Sequence, residues 1–132
     1  MKADAKTKAD VMSILNKFLE AHNKRNWDNL QALIAPDPDV VMIGAHEKSV
    51  GMDEIKAYIK RAWSQSEASS IEYGWTSISA AGAVAWVAAD STSHAKVGGQ
   101  EMSFPGRLTL VLEKRRDKWL IVQMHHSSPQ PG

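Results

Sequence analysis

The C-terminal part of the chain alternates apolar and polar positions in the way that long β-strands do. Two such stretches, residues 101–113 and 119–128, are separated by a charged turn, which predicts a hairpin. Aliphatic side chains dominate both stretches, yet Arg107, His125 and His126 lie among them. Burying groups of this kind costs roughly several kcal/mol unless each one is paired. The conflict makes this hairpin the first place to search for a binding site.

The N-terminal half shows the spacing of amphipathic helices instead. Apolar residues recur every three or four positions over about residues 5–24, which predicts a first helix. Asn26 is a good N-cap for a short second helix, and a third helix is expected after Gly51, where acidic residues come first and basic residues last. Residues 39–43 predict a short strand, and a loop then leads back to Val50.

From residue 69 onward the period changes to two, so four long strands are expected. Turns at residues 80–82 and at Gly98-Gly99 separate the first three of them. The pair Pro105-Gly106 interrupts the third strand, and we expect a bulge or bend there because proline cannot donate to a ladder. Helices followed by an antiparallel meander indicate an α+β fold, with the helices packed on one face of a curved sheet.

The last two strands carry aliphatic residues at both alternating sets of positions. A sheet of this kind exposes a large apolar patch on its outer face unless a second subunit covers it. We therefore expect a homodimer through the sheet, with Leu108 or Leu110 facing outward.

Composition narrows the classes of function. The 132 residues fit a single domain over residues 1–132, and 16 basic against 15 acidic residues give a net charge of +1. That balance provides no field for nucleic acid or for an anionic membrane, so neither is expected as a partner. No apolar stretch approaches the ~20 residues of a membrane span, and no secretory signal is recognisable, which predicts a cytoplasmic protein.

Metal and cofactor sites are not predicted. The chain has no cysteine, which excludes disulfides, thiolate ligands and a cysteine nucleophile. His125 and His126 are adjacent in a strand and cannot converge on one ion, and the histidines at 22, 46 and 94 show no ligand spacing.

Several segments together carry a family resemblance: Asp-Pro-Asp-Val-Val-Met-Ile-Gly at 37–44, Val-Gly-Met-Asp-Glu-Ile at 50–55, Arg-Leu-Thr at 107–109, and residues 117–127. With this order of elements, the chain resembles the SnoaL-like branch of the nuclear transport factor 2-like superfamily. The resemblance implies a cone-shaped, strongly curved antiparallel sheet with three N-terminal helices packed on its concave face, a conical pocket between them, and often a dimer. The superfamily includes polyketide cyclases, ketosteroid isomerases, epoxide hydrolases, a kinase association domain and pure binding proteins, so it implies no single activity.

The catalytic residues of these relatives are largely replaced here. A ketosteroid isomerase needs a tyrosine on the first helix and an aspartate on the first strand, and the match puts Phe18 and Met42 there, so that reaction is not expected. Epoxide hydrolases of this fold use an Asp-Arg-Asp set, but Arg107 is followed two residues later by Thr109. The cyclase pattern needs an acid/base aspartate in the sheet, and Asp90 is the carboxylate found in the middle of a long strand.

The role of Arg107 and the orientation of the two adjacent histidines stay open. Arg107 either binds a ligand carboxylate or other oxyanion, or forms an internal salt bridge with Asp90 or Glu72. In a regular strand, one of His125 and His126 faces the pocket and the other faces outward, and the length of the preceding turn decides which. The catalytic candidates are Asp90, His125 and His126, and the ligand-binding candidates are Trp63, Trp86, Arg107, His125 and His126.

The sequence thus predicts a small-molecule-binding domain whose ligand is a small apolar or anionic molecule. The alternative is an acid/base enzyme, such as a cyclase, isomerase or lyase, that uses Asp90 or a pocket histidine. A second alternative is a dimerisation or association module in which the pocket is incidental.

Overall fold

The computed structural model describes residues 1–129, which form three helices and one six-stranded sheet. The helices are α1 (Ala5–Asn23), α2 (Trp27–Gln31) and α3 (Met52–Ser64). The strands are β1 (Val41–Ile43), β2 (Lys48–Val50), β3 (Ala68–Ala81), β4 (Val84–Val97), β5 (Gln100–Arg115) and β6 (Lys118–Ser127). Their order in the sheet is β2-β1-β6-β5-β4-β3, and all neighbours are antiparallel except β1 and β6. The predicted α+β fold with a curved sheet is confirmed.

The helices begin where the capping residues predict. The Asn26 side chain accepts a hydrogen bond from the Asn29 N–H at 3.1 Å, so it caps α2. Gly51 precedes α3 with a φ of 82°, a conformation that side-chain-bearing residues rarely adopt. The loop expected before Val50 in fact contains β2, which pairs with β1. None of the helices in the described part of the chain is long and apolar enough to cross a bilayer; the cytoplasmic location stays a prediction.

The core lies between the helices and the concave face of the sheet. Val11 and Leu15 of α1 and Ile55 of α3 are fully buried, and they belong to one cluster with the inward side chains of β4, β5 and β6. Leu108 and Leu110, which were expected to face outward, are only 6% and 0% exposed. That expectation is wrong because the even-numbered positions of β5 are the ones that face the helices.

A β-bulge in β6 sets the orientation of its second half. Leu112 pairs with Ile121, but the preceding residue of β5, Val111, pairs with Gln123. Val122 is therefore an extra residue on β6, and the alternation of inward and outward side chains shifts by one position beyond it.

This shift decides between the two histidines. Met124 is 6% exposed and faces the core, His126 lies on the same side two residues later, and His125 is exposed. The turn that precedes β6 has two residues, Arg116 and Asp117, both with positive φ. Turn length alone would have put His125 inside, so the bulge is what turns His126 inward.

Pro105 causes no bulge in β5, where a bulge or bend was expected. Pro105 pairs with Thr92 and Gly106 with Ser91 in unbroken register. β6 reaches only as far as Arg107, so among residues 1–129 β5 has β4 as its one neighbour at Pro105. Proline is tolerated at such an edge because its missing donor can face the open side. The register shifts lie elsewhere, in β6 and near Tyr73 in β3.

Candidate functional site

A cavity of about 120 Å³ lies between helices α1 and α3 and the concave face of the sheet. Most of its wall is apolar. Phe18 and Met42, the positions where a ketosteroid isomerase would carry its tyrosine and aspartate, both line it and offer neither a hydroxyl nor a carboxylate. The other apolar wall residues include Ile43, Ile59, Leu108 and Met124.

Polar atoms without hydrogen-bond partners converge on this apolar cavity. The Tyr73 hydroxyl, the Ser91 hydroxyl and Nδ1 of His22 are buried, and none has a partner among the described residues. His126 contributes a fourth polar side chain to the wall. A buried polar group without a partner costs about 1–3 kcal/mol, so a bound molecule that hydrogen-bonds to these atoms recovers that cost.

The register of the sheet aligns these groups in one row. Tyr73 of β3 pairs with Ser91 of β4, and Ser91 pairs with Gly106 of β5. Two residues along β5, Leu108 pairs with His126 of β6. Paired residues share a face of the sheet, so the three polar side chains lie on the concave side, across four neighbouring strands.

Gly106 leaves the space that this arrangement needs. A Cβ atom at Gly106 would lie 2.7 Å from Nε2 of His126, 2.9 Å from Oγ of Ser91 and 3.1 Å from the Ser127 carbonyl oxygen. The first two distances are shorter than a Cβ atom normally keeps, so a side chain at this position would force Ser91 or His126 to move. Because both atoms approach the same point, the Ser91 hydroxyl and the His126 ring face each other over the β5 backbone.

Burial keeps the polar groups of the site uncharged. It lowers the pKa of His22 and of His126 from the ordinary value of 6.5, and the neighbouring His125 adds a smaller lowering to the pKa of His126. Burial also raises the pKa of the Tyr73 hydroxyl far above its usual range. At neutral pH the site therefore presents neutral imidazoles, a serine hydroxyl and a phenol that keeps its proton.

The cavity carries no compensating charge. Within residues 1–129, no aspartate, glutamate, lysine or arginine side chain lines it. The same described residues contain no group of three or more His, Cys, Asp or Glu side chains placed to hold a metal ion.

Arg107 and Asp90 lie on the convex face, away from the cavity. The Arg107 side chain is 84% exposed, and its Nε is 3.8 Å from Oδ1 of Asp90, which is 56% exposed. The expectation that Arg107 lines the cavity is wrong because Gly106 and Leu108 occupy the inward positions on either side of it. Of the two alternatives, the structure shows the internal ion pair. Asp90 does not reach the cavity either, so it is not a base for a ligand held there.

Trp86 and His125 also face outward. Ala85 and Val87, which flank Trp86, are fully buried, so strand alternation puts the indole on the convex face. Trp63 is buried at the end of α3, where it meets the His22 ring edge-on at a centroid distance of 5.8 Å. It lines a groove that adjoins the cavity rather than the cavity itself. Of the predicted binding residues, only His126 contributes directly to the cavity wall.

Tyr73, Ser91 and His22 were not predicted from the sequence. A signal for Ser91 existed, since it follows Ala85, Val87 and Ala89 at the spacing of the buried face of β4. A polar residue that continues an inward series is a candidate ligand contact. Tyr73 lies just before the register shift of β3, and for His22 the helical spacing alone indicates no role.

Comparison with known proteins identifies the family of the chain. A family model described as a SnoaL-like domain matches residues 11–131. The search of curated proteins finds no match. The chain belongs to the SnoaL-like family.

Solved structures extend the likeness to the whole fold. A nuclear transport factor 2-like superfamily protein from Salmonella enterica superposes with a TM-score of 0.88 at 20% identity, covering 98% of this chain and 95% of that one. A protein of the same family from Streptomyces avermitilis gives 0.87 at 16% identity, covering 98% and 100%. A protein with a cystatin-like fold from Nostoc punctiforme gives 0.83 at 14% identity, covering 98% and 96%. The superpositions establish the fold. At identities this low they do not establish the activity, which must be argued from the site.

Substituting Gly106 by alanine tests the packing around His126. We expect Gly106→Ala to lower the free energy of unfolding by about 1–3 kcal/mol, since the new methyl group collides with Ser91 and His126. Gly74→Ala is the matched control, because the nearest atom to its Cβ is 3.9 Å away. Urea denaturation measures both, and equal stability of the two variants would contradict the arrangement.

Proposed function

We propose that the protein binds a small, neutral, mainly apolar molecule through a carbonyl or hydroxyl oxygen. The observation that carries this proposal is the set of buried, unpartnered polar atoms that face an apolar cavity. The Tyr73 hydroxyl donates a hydrogen bond to the ligand oxygen, while Ser91 and His126 each donate or accept one. The apolar wall contributes about 25 cal/mol for each Å² of ligand surface that it buries.

Charge argues for a neutral ligand over an anionic one. An anion in the cavity would lose its hydration without meeting a cation, because Arg107 is outside and the histidines stay neutral. Placing an unpaired charge in such surroundings is strongly unfavourable. The anionic ligand predicted from the sequence depended on Arg107 and loses its support.

The size of the cavity sets the part of the ligand that fits. A dry cavity of about 150 Å³ holds a benzene molecule, and the space here is about 120 Å³. Because the cavity is slightly smaller than one that holds benzene but is open on one side, a single small ring or a short branched chain fills it with one edge at the opening.

Removing the Tyr73 hydroxyl tests the binding mode. We expect Tyr73→Phe to weaken cyclohexanone by about 0.5–1.5 kcal/mol, the usual net worth of one hydrogen bond, and to leave methylcyclohexane unaffected. Titration followed by NMR measures both affinities. His125→Ala, which removes an imidazole from the convex face, should change neither. Equal losses for the ketone and the hydrocarbon would mean that Tyr73 only shapes the wall.

A second candidate function is acid/base catalysis, and the presence of both His126 and Tyr73 in the wall of one cavity favours it. The lowered pKa of His126 keeps its imidazole in the basic form at neutral pH. The Tyr73 hydroxyl, which holds its proton, lies on the same face and is suited to donate a hydrogen bond to a developing enolate oxygen. Together they would move a proton next to a carbonyl, with His126 rather than Asp90 as the base.

Proton exchange tests the catalytic alternative without knowledge of the substrate. We expect the protein to accelerate hydrogen–deuterium exchange at the α-carbons of cyclohexanone, as seen by NMR. The rate should rise with pH as His126 loses its proton, with the midpoint of the rise below the ordinary pKa of 6.5, because only the neutral imidazole accepts a proton. His126→Ala should reduce the rate by about 10²–10⁴. Equal rates in His126→Ala and His125→Ala would exclude His126 as the base and leave binding as the function.

We also infer a homodimer through the convex face, although the residues involved are not the leucines expected. Trp86 is only partly buried in one subunit and faces outward beside Val111, and the Arg107–Asp90 ion pair lies four residues further along the same face. A two-fold partner would cover the indole and bring a second ion pair to the same surface.

Sedimentation tests the homodimer. Trp86→Lys is expected to give a monomer at micromolar concentration, while Val97→Lys, at the exposed end of β4 on the concave side, should leave the assembly unchanged. A native protein that sediments as a monomer would exclude the dimer and, with it, the role of an association module.

A further inference from the structure

The cavity continues into a wider groove. The groove measures about 370 Å³. It lies between the C-terminal end of α3 and the part of the sheet formed by the start of β3, the end of β4 and the start of β5. His22, Ala62 and Ile71 line both spaces. The cavity and the groove are therefore two parts of one concave surface that meet at His22.

The groove extends the same face of the sheet that carries Tyr73 and Ser91. Two residues further along each strand, Ser93 pairs with Ile71 on one side and with Phe104 on the other. Phe104 is 47% exposed, although it is a large apolar side chain on the concave face. Three more apolar residues of this surface are Ala95, Val97 and Met102.

The junction holds unpartnered polar atoms of its own. Nδ1 of His22 and Nε1 of Trp63 are buried without a hydrogen-bond partner in the described chain. The His22 ring lies between Phe18, stacked at 6.3 Å, and Trp63, edge-on at 5.8 Å. A molecule that occupies both the cavity and the groove would therefore lie against the His22 ring.

We propose that the ligand is elongated, with its neutral polar head in the cavity and an apolar chain that passes His22 and lies along the groove against Phe104 and Met102. This inference rests on the proposed function and specifies the ligand class, a neutral amphipathic molecule with an alkyl tail. The cavity alone is smaller than the about 300–1,000 Å³ of typical small-molecule sites, whereas cavity and groove together reach that range.

The position of the groove next to the cavity argues for the tail of the same ligand as its occupant. The exposed apolar side chains begin where the cavity ends, and the two spaces share three lining residues. A chain attached to a head group in the cavity is already held beside Phe104, so it needs no separate binding event.

Calorimetric titration with 4-alkylphenols, from phenol to 4-octylphenol, tests the proposal. We expect the affinity to increase by up to about fourfold for each added methylene group until the groove is filled. Phe104→Ser and Met102→Ser should reduce this gain per methylene and leave the affinity for phenol unchanged. Val84→Ser, which removes an apolar residue that is 38% exposed against 47% for Phe104, lies at the start of β4 away from the groove; it is the control and should keep the full gain. Thermal denaturation confirms that each variant is folded.

The outcomes separate the groove from the cavity. Tyr73→Phe should weaken every member of the series by the same factor, because it acts on the head group alone. If Tyr73→Phe has no effect while the groove variants remove the gain, the proposed function fails and the groove remains. An unchanged gain in the groove variants, or an equal loss for phenol and 4-octylphenol, would overturn the elongated ligand. If the gain in affinity appears only when sedimentation shows that the protein has self-associated, the groove is covered by a second copy of the chain. That result would also overturn the elongated ligand.

Discussion

The extra residue in β6 is the constraint on which the candidate site depends. Without Val122 outside the regular pairing, the inward series that starts at Trp119 and Ile121 would continue to Gln123 and His125. The cavity would then hold an amide in place of Met124, and His125 would take the place of His126 beside Leu108. One backbone irregularity therefore exchanges a polar core position for an apolar one and decides which of the two imidazoles lies on the concave face. Bulges next to functional sites commonly re-aim side chains in this way.

Strand alternation also separates two kinds of chemistry on one sheet. Arg107 and Asp90 are paired across β5 and β4 on the convex face, while Gly106 and Ser91, one residue away on each strand, are paired on the concave face. The convex face thus carries charge and is suited to contact a partner. The concave face carries neutral donors and acceptors in apolar surroundings, which is the environment of a small-molecule site.

Much of the fold follows from the sequence because its signals are local. Helix spacing, the Asn26 cap and the turn at Gly98-Gly99 act within a few residues, and each lies where it was expected. The site was harder to predict because it depends on register, which is set by contacts between distant strands. The sequence contains one sign of the bulge at Val122, the three-residue spacing between the apolar Ile121 and Met124. Such a spacing also occurs in regular strands, so it does not predict a bulge. Arg107 was misplaced for the same reason, since a one-residue difference in parity reverses the face of every side chain in β5.

Pro105 has a consequence for the protein outside its own fold. The first residues of β5 extend beyond the end of β6, so in the described chain this segment has one edge without a neighbouring strand. An uncovered edge of this kind is a template to which a strand of another molecule can add. A proline in that edge removes a donor and interrupts the row of hydrogen bonds that such an addition requires. Proline is one of the residues with which natural proteins limit strand addition at such edges, and here it lies at the part of the sheet next to the groove.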